Sequence, residues 1–226
     1  MPGRDSAHGS VSPQSFRTQE EPSSDRIYIT DLARALYSVI PPSKLCLIRL
    51  PLGWKGQDLI ASHPFSHLGQ DGGAGTGSGL GNAVGAALAL KHTGLNNHLV
   101  PVAVIGDEDY LMGCSALWTA VHHGIPLLVV VANNESFHND EQHQAKIARQ
   151  RGRPVENAGI GTEIRDPVPN VTGNAASFGA ATVVDGQVRR KGYLEEVLVR
   201  AARKVRERGE VVVVDVFVWP EEEWRA

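Results

Sequence analysis

Two short apolar runs that end in polar residues constrain this chain more than any other feature. Val102-Ala103-Val104-Ile105 runs directly into Gly106-Asp107, and Leu127 to Ala132 runs into Asn133-Asn134. A continuous apolar run of this length reads as a strand buried on both faces of a parallel sheet. The segment between them has a helical pattern, about Gly113 to His123, that stops at Gly124 with Pro126 just beyond. Strand, helix and strand with a single crossover predict a right-handed βαβ unit. Both polar tips then fall at the carboxyl edge of the sheet, where open α/β sheets bind ligands. One carboxylate and one or two amides converge there, and such hard oxygen donors suit Mg²⁺ or Ca²⁺ rather than zinc. Taken singly, Asp107 reads as a helix cap and Asn133-Asn134 as a turn. Their joint placement at two tips is what favours a site.

The rest of the chain follows the same alternation. Asp31 to Leu36 begins a helix, with Thr30 as its cap, that ends before Pro41-Pro42. Leu45 to Leu50 reads as a strand, Leu80 to His92 as an alanine-rich helix, Tyr193 to Arg208 as an amphipathic helix, and Val211 to Val218 as the last strand. The polar stretch 138–170 carries helical pieces and loops. This order predicts an α/β fold, a mostly parallel twisted sheet flanked by helices on both faces. We expect one domain over residues 27–226, after a disordered tail over 1–26 that is rich in Ser, Pro, Gln and charge.

Composition excludes several classes of partner. With 22 basic and 25 acidic side chains, the formal charge of −3 offers no basic face for nucleic acid or an anionic membrane. No apolar run approaches the roughly 18 residues of a membrane span, and no secretory leader pattern opens the chain, so a cytoplasmic setting is expected. The two cysteines, Cys46 and Cys114, read as reduced core residues rather than as a disulfide framework.

Glycine is concentrated between Gly69 and Gly85. The segment Gly72-Gly73-Ala74-Gly75-Thr76-Gly77-Ser78-Gly79 fails the strict G-x-G-x-x-G spacing, and no strand precedes it directly. A dinucleotide fingerprint is therefore disfavoured, and the missing GK[ST] excludes a P-loop. Tight packing of helix against strand is the plain alternative for these glycines.

Residues 106–137, GDEDYLMGCSALWTAVHHGIPLLVVVANNESF, resemble the thiamine-diphosphate motif, in which Gly-Asp-Gly is followed at somewhat under thirty residues by Asn-Asn. Asn134 follows Asp107 by 27 residues. Met112, Thr119-Ala120 and Ile125-Pro126 also resemble the acetolactate synthase, benzoylformate decarboxylase and pyruvate decarboxylase superfamily. The likeness runs from about residue 27 to 218 and covers only that superfamily's C-terminal, pyrophosphate-binding domain. It implies Mg²⁺ held by Asp107, Asn134 and the Ser136 carbonyl. It implies thiamine diphosphate held along Gly106, Asp107, Glu108, Asp109, Asn134, Ser136 and Phe137, with the backbone N–H groups of residues 108 and 109 facing the diphosphate. Ala74, Gly75, Thr76 and Gly77 are placed by it against the cofactor's rings. Asp140 falls where decarboxylase relatives carry an acidic proton-transfer residue, and His138 lies beside it. The plain reading of that segment is a solvated loop.

Two departures stand out. The motif's third residue is Glu108 where relatives have a small one. Its carboxylate either crowds the diphosphate or turns to solvent. The glutamate that activates the cofactor belongs to a separate domain of the superfamily, so the resemblance implies a pyrimidine-domain partner chain and a homo- or hetero-oligomer. It further implies a decarboxylase or carboligase acting on a small 2-oxo acid. A degenerate, non-catalytic partner or regulator stays open, as does a simpler Mg²⁺-dependent phosphoryl-binding protein. His63 and His67 remain unassigned. The basic run Lys146 to Arg153 reads as a solvated face or an interface.

Overall fold

Residues 23–69 and 75–220 are described by a computed structural model. Five strands form one sheet: β1 (Leu45–Arg49), β2 (Val100–Gly106), β3 (Leu127–Asn133), β4 (Gln187–Val188) and β5 (Val211–Phe217), in spatial order β1-β2-β3-β5-β4. Every pairing is parallel. β2 and β3 are neighbours as predicted, with Val102 opposite Leu128 and Gly106 opposite Ala132. β4 was not foreseen, because two residues are too few to carry a period.

Side chains alternate across the strands and feed two cores. Leu47, Val102, Val104, Leu128, Val130, Val212 and Val214 face one side, under α1 (Ile29–Val39) and α7 (Lys191–Arg208). Cys46, Ala103, Ile105, Val129, Val131 and Val213 face the other, under α2 (Ser78–Thr93), α4 (Ala116–His122) and α6 (Val171–Ser177). Each fully buried valine contributes roughly 1.5–3 kcal/mol over an exposed one, so an apolar run feeding both cores can only be a central strand. α7 shows why its sequence is helical: Leu194, Val197, Leu198, Ala201, Ala202 and Val205 are its buried residues, at helical spacing. Gly209 ends it at a φ of 66°.

Two boundaries differ from the sequence reading. α1 starts at Ile29 with Tyr28 as its cap position, so Thr30 lies inside the first turn. The Asp31 carboxylate, at the third helical position, reaches back to accept the N–H of the cap residue Tyr28 at 3.1 Å, as the acid of a capping box does. The helix expected from Gly113 begins instead at Asp107, directly off β2, as α3 (Asp107–Gly113). It passes into α4 through i to i+3 hydrogen bonds, Leu117 N–H to the Cys114 carbonyl and Trp118 N–H to that of Ser115. Gly113 is no start signal, since a Cβ there would strike the Gly77 carbonyl.

The polar stretch opens with α5 (His138–Gln150). Residues 1–22 of the expected tail lie outside the described residues. Cys46 and Cys114 are both free thiols. Among the described residues no helix is long and apolar enough to cross a membrane.

Candidate functional site

The β2–β3 register sets the two polar tips side by side. Asp107 is 1 % exposed. Its Oδ2 accepts the Ser136 N–H at 3.1 Å, and the same N–H lies 3.0 Å from Asn134 Oδ1. The two side chains read as cation ligands thus converge on one amide. Asp107 Oδ1 is buried and has no hydrogen-bond partner among the described residues. An unpartnered buried carboxylate oxygen is costly, and the usual remedies are a proton or a cation. Burial first, then hydrogen bonding to and the charge of Glu108, push this carboxyl up to about 8. Its oxygen donors and the orphaned Oδ1 together fit a hard divalent cation.

The loop beyond Asn134 is held by residues without a sequence signature. Asn133 accepts the Glu135 N–H at 2.9 Å and donates to Asp215 Oδ1 at 3.1 Å. Glu135 is buried at a φ of 59°, a left-handed conformation that few glutamates adopt. Arg189 holds its carboxylate at 2.6 Å and Arg165 approaches at 3.7 Å. Arg189 also lies over the Phe217 ring. Burial pushes the Asp215 carboxyl up to about 7, with the Asn133 hydrogen bond and the Arg189 charge pulling it back.

A cavity of about 540 Å³ opens at this edge, lined among others by Thr76, Gly106, Glu108, Asp109, Asn134, His138, Asn139 and Gln142. Ile105, Leu50 and Trp219 give it apolar wall. Asp107 is not part of this lining. Gly75 is exposed beside Thr76. Gly77 needs its lack of a side chain twice over: its φ is 99°, and a Cβ would sit 2.8 Å from that of Met112. Asp109 acts through its side chain. Its buried carboxylate accepts the N–H groups of Gly77 at 2.6 Å and Gly79 at 3.1 Å, and meets Arg49 at 3.2 Å. It thereby ties the glycine segment to the turn that carries Asp107. Nothing in the spacing of the sequence announced that clamp.

The Glu108 side chain takes the cavity side of its two open orientations. Its carboxyl group doubles back against Gly106, where a Cβ on Gly106 would overlap it. Ser136 is buried and donates its hydroxyl to Glu141 at 3.0 Å. Phe137 donates its N–H to the Thr162 carbonyl at 2.8 Å. The His138 ring meets Gln142 Nε2 at 2.7 Å on the cavity wall. Asp140 is exposed in the first turn of α5 and is not part of the lining. Ala74 lies outside the described residues. His63 and His67 sit against β1, His63 Nε2 at 3.2 Å from the Leu45 carbonyl, and neither lines the cavity. The side chains of Lys146, Arg149, Arg151 and Arg153 are exposed.

A parallel α/β sheet with hard oxygen donors and a cavity at its carboxyl edge defines a ligand-binding domain of the open-sheet class. Residues 54–216 match the family model described as thiamine pyrophosphate enzyme, C-terminal TPP binding domain, and the chain belongs to that family. No curated protein sequence matches it. Among solved structures, a putative thiamin diphosphate-dependent enzyme from Mycobacterium smegmatis superposes with a TM-score of 0.64 at 23% identity, covering 96% of this chain and 37% of that one. Benzoylformate decarboxylase from Polynucleobacter necessarius gives 0.66 at 19% identity, with 84% and 33% covered. A thiamine diphosphate-dependent 4-hydroxybenzoylformate decarboxylase from Rhodococcus jostii RHA1 gives 0.68 at 18%, with 96% and 37% covered. The chain spans about a third of the length of these neighbours.

Proposed function

We propose that this chain binds thiamine diphosphate with Mg²⁺ and forms the cofactor-holding half of a 2-oxo-acid decarboxylase or carboligase. The orphaned, buried Asp107 Oδ1 carries the reading, because family membership alone leaves open whether this copy keeps its cation site. Asp107, Asn134 and the Ser136 carbonyl hold the cation. The N–H groups of residues 108 and 109 in the first turn of α3 would face the diphosphate, and Gly75 to Gly77 would lie towards the rings. When bound, the cofactor supplies an electron sink for the carbon that loses its carboxylate. Asp109 keeps the glycine segment in place, and Ile105, Leu50 and Trp219 shield the site from water. His138, oriented by Gln142, moves the proton; Asp140, two residues along the same turn, is its alternative once a partner covers α5. The activating glutamate comes from another chain, a pyrimidine-domain partner, and two of the named neighbours make an aryl 2-oxo acid the substrate class to try first. The Glu108 carboxyl in the cavity favours a second reading, a non-catalytic partner or regulator.

Calorimetric titration of the chain with thiamine diphosphate, with Mg²⁺ and with EDTA, tests this. Binding should need the metal, and Asp107→Ala should weaken it at least ~10-fold, about 1.4 kcal/mol. Binding indifferent to both EDTA and Asp107→Ala would refute the cation site, and preference for nucleotides would refute the cofactor.

A further inference from the structure

Three consecutive acids open α3, and the fold treats each differently. Asp107 is buried with one oxygen bound to Ser136 N–H and the other unpartnered among the described residues. Asp109 is buried and fully engaged by Gly77, Gly79 and Arg49. Glu108 lines the cavity, with its carboxyl group folded into the space that Gly106 leaves by having no side chain. A side chain free to choose would turn a second carboxylate away from the first, because like charges at such range repel. Here Glu108 comes against Asp107 and lines the cavity, which Asp107 itself does not.

We infer that Glu108 is a cation ligand of this chain. With Asp107 and Asn134 it forms an oxygen site that takes a divalent cation without any diphosphate, and a diphosphate must displace the Glu108 carboxylate to reach the metal. The inference rests on the cation site proposed above and adds a ligand that the family motif does not contain. Three observations support it. Asp107 keeps one oxygen without a donor, and Glu108 packs against the same carboxylate, so one ion between them satisfies both. The donors are two carboxylates and an amide, the set that hard cations select. And the departure from the motif is paired with room for it, since any side chain at Gly106 would overlap the Glu108 carboxyl group. The chemical result is a metal site that the apo chain fills by itself, with diphosphate-bearing ligands entering by exchange of one carboxylate for phosphate oxygens.

The test uses the 226-residue chain with no cofactor present. Mn²⁺ serves as the probe, its free fraction read by electron paramagnetic resonance. The chain should bind Mn²⁺ alone, Asp107→Ala should abolish this, and Glu108→Gln should weaken it at least ~10-fold, because a neutral amide lacks the charge that sets cation affinity. In a second arm, Glu108→Gly should bind thiamine diphosphate or inorganic pyrophosphate, at saturating Mg²⁺, at least ~10-fold more tightly than the unaltered chain. Circular dichroism of each variant checks the fold. No Mn²⁺ binding by the unaltered chain, or equal binding by Glu108→Gln, overturns the inference. If no variant binds thiamine diphosphate while Glu108→Gln still loses Mn²⁺, the cofactor reading fails and the ligand assignment stands. If thiamine diphosphate binds with metal and neither Glu108 variant alters anything, the cofactor reading stands and the ligand assignment falls.

Discussion

Asp215 offers the sharpest test of the electrostatics beneath the site. It lies within β5, 1 % exposed, opposite Val131 of β3 and Gln187 of β4. Burial pushes its carboxyl up to about 7, opposed by the Asn133 hydrogen bond and the Arg189 charge and assisted by Glu135. In the unfolded chain an aspartate titrates near ~3.9. The folded state therefore holds the proton more tightly than the unfolded state does. The stability this confers is complete below about pH 4 and is lost progressively as the pH rises through about 7, after which it is flat. Three units at ~1.36 kcal/mol each bound the loss at about 4 kcal/mol. Asp215→Asn keeps an oxygen for Asn133 and has no proton to lose. Urea unfolding of both proteins at about pH 5 and about pH 8 should show the variant gaining roughly 2–3 kcal/mol on the parent between those values. Subtracting the two proteins cancels groups that titrate alike in both. A difference that stays constant with pH would refute the argument, and would mean that Asp215 is ionised in the fold with Arg189 as an effective partner.

Two further outcomes follow from other parts of the fold. Asp109→Ala removes the acceptor of the Gly77 and Gly79 N–H groups and should cost about 2–4 kcal/mol in urea unfolding, with faster amide exchange at Gly79 than elsewhere in α2. Alkylation at mild alkaline pH should label Cys114 alone in the native chain and both cysteines after unfolding, because burial pushes the Cys46 thiol up to about 12 and leaves it 0% exposed; intact mass counts the labels.

The sheet was legible because a central parallel strand writes itself as a continuous apolar run, and β2, β3 and β5 are such runs. Of the candidate site, what was legible lies next to those runs: Asp107 and Asn134, which the structure brings to one Ser136 N–H. Residues that hold the site from afar were not. Arg189 reaches Glu135 across 54 residues of sequence, and Asp215 reaches Asn133 across 82. No local pattern couples such pairs. The start of α3 was misplaced for a related reason: Gly113 reads locally as punctuation, whereas its lack of a side chain answers to Gly77, a contact between distant segments. The direction of Glu108 was undecidable from the sequence, since its carboxyl group fills the space that Gly106 leaves by having no side chain.

Charge at this edge is sorted rather than scattered. Glu135 is met by Arg189 and Arg165, Asp109 by Arg49 and two N–H groups, and Asp215 by the Asn133 amide and the field of Arg189. Each of these acids is satisfied by protein, and each braces a loop. Asp107 is the exception, with one oxygen left without a partner and a second carboxyl group brought up against it. A fold that supplies arginines to the neighbouring buried acids, and only backbone N–H contact to this one, leaves the charge there without a cationic side chain. On the reading proposed above, a divalent cation would neutralise both carboxylates at once, whereas a proton shared between them would leave one negative charge uncompensated. The cost of removing the cation should therefore fall on the Asp107 turn and the Asn134 loop, and leave the Asp109 and Glu135 braces intact.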